Sequence, residues 1–312
     1  MRFIIYNPAS ELFTFFEEAI RHELLKRDIE AINYKNTSIN TSINTSTNTS
    51  INTETINPSQ DIILIIVNPH YIYNYPEIKT TISLISKTYK YKIFYLTEPI
   101  NFILEKRVFI ELINIIKPYA LWTYTASNFN KLNIRQPIFN IFPHYNETLN
   151  LANINLTNLK ARNAETIVFF GNINDVRKPI CTQFKTSLRN ETNAWLKAEH
   201  SVILNKYLFY LNIHRRDKCQ SFETFRIIPI LANGGVIFSE SCNETDETLY
   251  SKYNITFCKK TDLYTTFQSI ALNLTEPTYT DIAYKAQLFR NDMLNNNGDF
   301  NNFLEYHNKV QN

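Results

Sequence analysis

Several charged side chains fall where the patterning places the ends of buried strands. In SFETFRIIPILANGGVIFSE, residues 221–240, Glu223 and Arg226 are three apart, a spacing that puts both on one side of a helix. Glu240 closes the apolar run Val236-Ile237-Phe238, at the carboxyl end of a strand, where open α/β sheets carry ligand-contacting residues. Arg177 and Lys178 follow a second such run, Thr166–Phe170, through Gly171 and Asn174. His214 follows a third, YLFYLNI, just after Asn212. Cations of this kind neutralise phosphate, and carboxylates accept hydroxyl protons. Each group also has a plainer reading. Glu223 and Arg226 can be a solvated ion pair, Glu240 a turn cap, Arg177 and Lys178 surface charge, and His214 a hydrogen-bonded imidazole at the core edge.

The elements that would position these groups can be read from the same stretch. Ser221 suits a helix cap, and Phe225, Ile228 and Leu231 give that helix an apolar face. Asn233-Gly234-Gly235 ends it, because glycine tolerates the left-handed cap conformation. Pro229 falls mid-helix and predicts a kink or break. The whole chain has 4 Gly in 312 residues, so a retained glycine marks a position that needs one. Gly171, Gly234 and Gly235 sit at element junctions, whereas Gly298 lies in an Asn-rich tail without such a signal.

Upstream, strands are expected at Met1–Tyr6, Ile29–Asn33, Asp61–Val67, Lys92–Leu96, Ala120–Tyr124 and Ile138–Ile141. Helices are expected over residues 11–27, 77–89 and 105–117 between them. Residues 36–60 repeat a four-residue Asn/Thr/Ser/Ile unit, have no core-forming pattern and read as a disordered loop. The formal N-x-S/T sequons within it fit codon-repeat expansion better than glycosylation. Downstream, Ile180–Leu188 reads as a helix and Ser201–Leu204 as a short strand. Ile255–Phe257 reads as a strand, and Asp262–Leu272 and residues 281–294 as helices, the last crossing back to the first domain. Alternating β and α predicts two Rossmann-like, doubly wound domains facing a cleft. The divisions are 1–145, a polar linker at 146–165, a second domain at 166–280, and a C-terminal helix and tail at 281–312.

Composition narrows the classes. A net charge of +3 without a basic run argues against nucleic acid. No stretch approaches a membrane span, and the amino terminus reads as a first strand and not a signal peptide, so a cytoplasmic protein is expected. The four widely spaced cysteines fit free thiols in a reducing compartment.

The order of segments in the second half resembles the donor domain of GT-B glycosyltransferases, and most closely a bacterial and viral family. FFGNINDVRK stands where that family has a strand into a G-x-x-N-x-R-R-like loop. LNIH at Leu211–His214, and Glu223, Arg226, Gly234, Val236, Ser239 and Glu240, match its later segments. Thr97-Glu98-Pro99, Trp122-Thr123-Tyr124-Thr125 and FPHY at Phe142–Tyr145 resemble its first-domain segments more faintly, without the Asp of W-D-Y-S. The likeness spans roughly residues 90–265.

The resemblance implies transfer of a sugar from a nucleotide-sugar donor to a glycan, protein or small-molecule acceptor. It implies donor contacts from Gly171, Asn174, Arg177, Lys178, Asn212, Glu223, Arg226, Ser239 and Glu240. A carboxylate such as Glu240 or Glu223 would hold the ribose diol, the cations would hold the diphosphate, and His214 would lie near phosphate or sugar. Asp-x-Asp is absent from the sequence, so protein cations are expected in place of a metal. Glu98 is the candidate base for the acceptor hydroxyl, with His144 behind it, and the plainer reading of Glu98 is a turn carboxylate before Pro99. Two other classes compete. One is a non-catalytic module of the same fold that binds a nucleotide sugar or glycan. The other is a nicotinamide-dependent oxidoreductase, which needs G-x-G-x-x-G where this chain has the single glycine of GNINDV.

Overall fold

The computed structural model describes residues 1–7, 14–33, 62–70, 87–97, 100, 103–124, 132, 134–141, 149–192, 197–215, 222–295 and 298–311. The Asn/Thr/Ser repeat, most of the helix expected at 77–89, Ser221, Glu98 and His144 lie outside them.

The first domain contains β1 (Arg2–Tyr6), α1 (Thr14–Leu25), β2 (Glu30–Asn33), β3 (Ile62–Val67), β4 (Tyr91–Leu96), α2 (Ile103–Ile116), β5 (Ala120–Thr123) and β6 (Ile138–Asn140). The strands form a parallel sheet in the order β2-β1-β3-β4-β5-β6. Every residue of β3, IILIIV, is buried. Successive side chains leave a strand on opposite faces, so such a run needs cover on both sides. Leu64 and Ile66 pack with Phe109, Leu112 and Ile113 of α2. Ile63, Ile65 and Val67 pack into the other core, which Leu24 of α1 helps to close.

The second domain contains α3 (Leu156–Ala161), β7 (Asn163–Phe170), α4 (Lys178–Gln183), β8 (Leu188–Glu191), α5 (Lys197–Lys206), β9 (Tyr207–Asn212) and α6 (Thr224–Ala232). It continues through β10 (Val236–Glu240), α7 (Glu244–Tyr250), β11 (Ile255–Cys258), α8 (Leu263–Ala271) and α9 (Glu276–Asn295). Its parallel sheet has the order β11-β10-β9-β7-β8, with cores on both faces.

Three expectations are corrected. Ser201–Leu204 belongs to a helix, not a strand: Ile203 and Leu204 are buried while Val202 is 65% exposed, the mark of an amphipathic turn. The helix expected over 180–188 stops at Gln183, and Leu188–Glu191 forms strand β8. The return to the first domain is made by α10 (Phe300–Gln311), whose Phe300 and Phe303 enter the first core; α9 stays on the second domain through Phe289 and Met293. Gly298, with φ +50°, lies between the two helices, and Asp299 bonds Asn140 through both its backbone N–H and its carboxylate.

Helix α6 continues past Pro229, so the expected break does not occur. It ends as the glycines predict: Gly234 takes φ +72°, and Gly235 N–H donates to Ile230 O at 2.9 Å. Asn233 makes the junction a tie point. Its Oδ1 accepts from Leu151 and Ala152, and its Nδ2 donates to Leu149 and Pro229 carbonyls. The polar segment before β7 is thereby fastened to the end of α6.

A Cβ on Gly235 would stand 2.5 Å from Ile230 Cγ2 and 2.7 Å from Tyr210 Cε2. That ring is held in place: the Tyr210 hydroxyl lies 3.0 Å from Tyr207 O and 3.2 Å from Ile203 O, and the ring stacks on Phe170. Gly235→Ala is expected to destabilise the fold by about 2–3 kcal/mol. Urea unfolding checks this, and a change under about 0.5 kcal/mol, the range of an ordinary surface substitution, would refute the clash.

Candidate functional site

In the second sheet the chain leaves β7 for β8 on one side and returns to β9 on the other. Loops diverge at such a point and leave a crevice outside the carboxyl ends of the strands. Gly171 follows β7, His214 lies two residues past β9, Glu240 ends β10, and α6 begins just after Glu223. Gly171 has φ +137°, a conformation that L side chains rarely adopt, and its α-carbon faces Arg177 and Arg226: a Cβ there would lie 3.6 Å from Arg177 Nη1 and 3.7 Å from Arg226 Nη2.

Arg177 is buried. Its Nε donates to Ile213 O at 3.1 Å and its Nη1 to Asn172 O at 2.9 Å, while its Nη2 lies 3.5 Å from Glu223 Oε1. Glu223 Oε2 pairs with Arg226 Nη1, which also reaches Asn212 Oδ1 at 3.4 Å. Both guanidiniums lie over the Phe169 ring, at 5.0 and 5.9 Å from its centroid. Burial pushes Arg177 down to about 10, Glu223 opposes the shift and Arg226 adds to it, so Arg177 stays a cation at neutral pH. Two guanidiniums against one carboxylate leave an excess positive charge. Arg177 Nη2 and Arg226 Nε have no hydrogen-bond partner among the described residues. The cluster can accept an anion.

Beside it, Glu240 Oε2 accepts the His214 backbone N–H at 3.1 Å, and Oε1 pairs with Lys260 at 3.1 Å. Asn212 Nδ2 donates to Ser239 Oγ, which donates to Glu240 O. The His214 ring is fully buried, with Nε2 3.3 Å from Ser241 O. A carbonyl only accepts, so Nε2 carries the proton there.

No family model matches the chain, and no curated protein matches it by sequence. Solved structures do. Anabaena HepE, determined in complex with UDP and glucose, superposes with a TM-score of 0.50 at 11% identity, over 93% of this chain and 95% of its own. An α,α-trehalose-phosphate synthase (UDP-forming) from Burkholderia xenovorans gives 0.45 at 11% identity, over 75% and 70%. A glycosyltransferase from Rickettsia africae gives 0.44 at 11% identity, over 99% and 97%. The fold is GT-B.

In this GT-B chain the carboxyl edges of the two sheets meet at the start of α6. Phe225 packs against Tyr95 of β4 and Tyr124, the residue after β5, at centroid distances of 6.3 and 5.5 Å. The structure gathers Gly171, Arg177, Asn212, His214, Glu223, Arg226, Ser239 and Glu240 at one end of the second sheet. Asn174 borders them: its Oδ1 accepts from Arg177 N–H, and its Nδ2 donates to Arg215 O. Lys178 stands apart, exposed as the first residue of α4.

Glu98 lies outside the described residues. Thr97, just before it, is buried and paired with Asn68, whose Nδ2 donates to Thr97 Oγ1 at 2.5 Å and whose Oδ1 accepts from Thr97 N–H at 2.8 Å. Sequence reasoning missed Lys260, because a lysine ahead of a helix carries no local mark of a partner twenty residues upstream. It also missed the Phe169 ring, which reads simply as strand core. Among the described residues no three His, Cys, Asp or Glu side chains gather as a metal site requires. No described helix is long and apolar enough to cross a membrane.

Proposed function

We propose that this chain transfers a sugar from a nucleotide-sugar donor to an acceptor hydroxyl, with arginines and not a metal ion meeting the diphosphate charge. The observation that carries the reading is the pair Arg177 and Arg226. They are buried or half-buried and joined through Glu223 at the switch point of a GT-B second domain, and among the described residues Arg226 Nε has no hydrogen-bond partner. The acceptor oxygen attacks the anomeric carbon as the bond from that carbon to the diphosphate oxygen breaks. The leaving diphosphate gains charge, and fixed guanidiniums stabilise it most at that moment. Glu240, held by Lys260 and the His214 N–H, keeps lone pairs for the ribose hydroxyls. The acceptor proton goes to a base of the first domain, for which Glu98 is the candidate.

Thermal unfolding with UDP, GDP, ADP and CMP and their sugars tests the donor. A ligand at a hundred times its Kd adds about 2.7 kcal/mol of stability, and one base is expected to stand out. Turnover of the preferred nucleotide sugar then separates an enzyme from a binding module of the same fold. Silence across the panel would refute the donor reading.

A further inference from the structure

The turn that carries Glu223 and Arg226 is held from two sides by aromatic anchors in different domains. Phe222 is fully buried in the second domain against Tyr250 and Phe257, at 4.8 and 5.4 Å, and its N–H donates to Asp246 Oδ2. Phe225 points the other way. Among the described residues 149–295 it alone belongs to the first domain's core, where it is 7% exposed. Its seat is itself fixed: the Tyr95 hydroxyl donates to Ile141 O at 3.1 Å, and the Tyr95 ring packs edge-on against Trp122.

Between the two anchors, Phe222 O accepts the Thr224 N–H at 2.9 Å and Glu223 Oε1 lies 3.5 Å from Arg177 Nη2. Glu223 occupies the N-cap position, and its side chain makes no capping bond. The contact of Arg226 Nη1 with Asn212 Oδ1 is 3.4 Å, near the limit of a hydrogen bond, so a shift of a few tenths of an ångström breaks it.

From this arrangement we infer that Phe225 is a positioning residue: its seat between Tyr95 and Tyr124 holds Arg226 and Glu223 in place for an anionic donor, and so couples the docking of the two domains to ligand affinity. The inference rests on the donor site proposed above. Coupling of this kind is reciprocal, so a ligand on Arg226 tightens the seat in turn. Tyr124 touches Phe225 from the other domain, its ring centroid 5.5 Å away.

The test titrates UDP, GDP, ADP and CMP into the full chain by calorimetry and follows whichever binds the wild type most tightly. Phe225→Leu and Tyr124→Leu are each expected to weaken binding about tenfold, and the double variant no further than the single ones. Tyr124→Phe keeps the ring and is expected to bind as the wild type does. A purely structural role predicts a lower unfolding midpoint with unchanged affinity in the folded protein, or losses that add in the double variant. Either result would overturn the coupling. If Phe225→Leu does not fold, Tyr124→Leu against Tyr124→Phe decides the matter alone. Failure of all four nucleotides to bind the wild type would remove the donor reading and the coupling together. Binding lost in Arg226→Ala but unchanged in Phe225→Leu and Tyr124→Leu would remove only the coupling.

Discussion

Arg226→Ala is expected to lower turnover of the preferred nucleotide sugar about 100- to 1000-fold, the cost of removing one preorganised group aimed at developing charge. Arg226 is the better target of the two arginines. Arg177 is buried and bonds Ile213 and Asn172 carbonyls, so its loss would disturb the strand outlets as well as the ligand. Arg226 spends its side chain on Glu223 and a long contact to Asn212, and removing it leaves the backbone ties of the site intact. Arg226→Lys keeps the charge and loses the planar fork, so it should fall between the wild type and alanine. The effect should sit mainly in kcat, since the charge on the diphosphate is largest as the bond breaks. Steady-state kinetics on folded protein decides this. Turnover within threefold of wild type in Arg226→Ala would show that the diphosphate is stabilised elsewhere.

Much of this fold is legible in the sequence because two-sided burial leaves continuous apolar runs. IILIIV, YKIFYL, YLFYLN and VIFSE are read as strands and are strands. The failures share a cause. LRNE is an edge strand with no buried residue, so it has no apolar signal at all. SVIL is a strand-like run only until Val202 is seen to face solvent. The crossing helix is expected one element too early because Asn-rich composition hides its stripe, although Phe300, Phe303 and His307 recur at helical spacing and all three are buried.

The site divides in the same way. The three-residue spacing of Glu223 and Arg226 is local, and the ion pair exists. Arg177 reaching the same carboxylate from the loop after β7 is a contact across 46 residues, invisible to any window. Only the rule that loops of a parallel sheet gather at its carboxyl edge brings the two together in advance. The role of Phe225 is hidden for another reason. A phenylalanine on the apolar face of a helix looks identical whether its core belongs to its own domain or to the neighbouring one.

The first domain carries a pH dependence that can be measured without any ligand. His70 lies three residues past the end of β3 and is 6% exposed, and burial pushes its imidazole from 6.5 down to about 4. The unfolded chain therefore takes up a proton near pH 6.5, and the folded chain only near pH 4. Between those values the unfolded state holds one more proton, so stability falls as pH falls through the window. At 1.36 kcal/mol per unit the full loss is about 3 kcal/mol. It is absent above the unfolded value and complete below the folded one. Glu17, also buried, works in the opposite sense: burial raises its carboxyl, so the folded state protonates first and gains stability as pH drops toward that raised value. Urea unfolding at pH 7 and pH 5 measures it, and His70→Gln, which stays neutral, should flatten the slope. An identical slope in the variant would place the titrating group elsewhere. A flattened slope would show that burial at the carboxyl end of β3 keeps the His70 imidazole neutral.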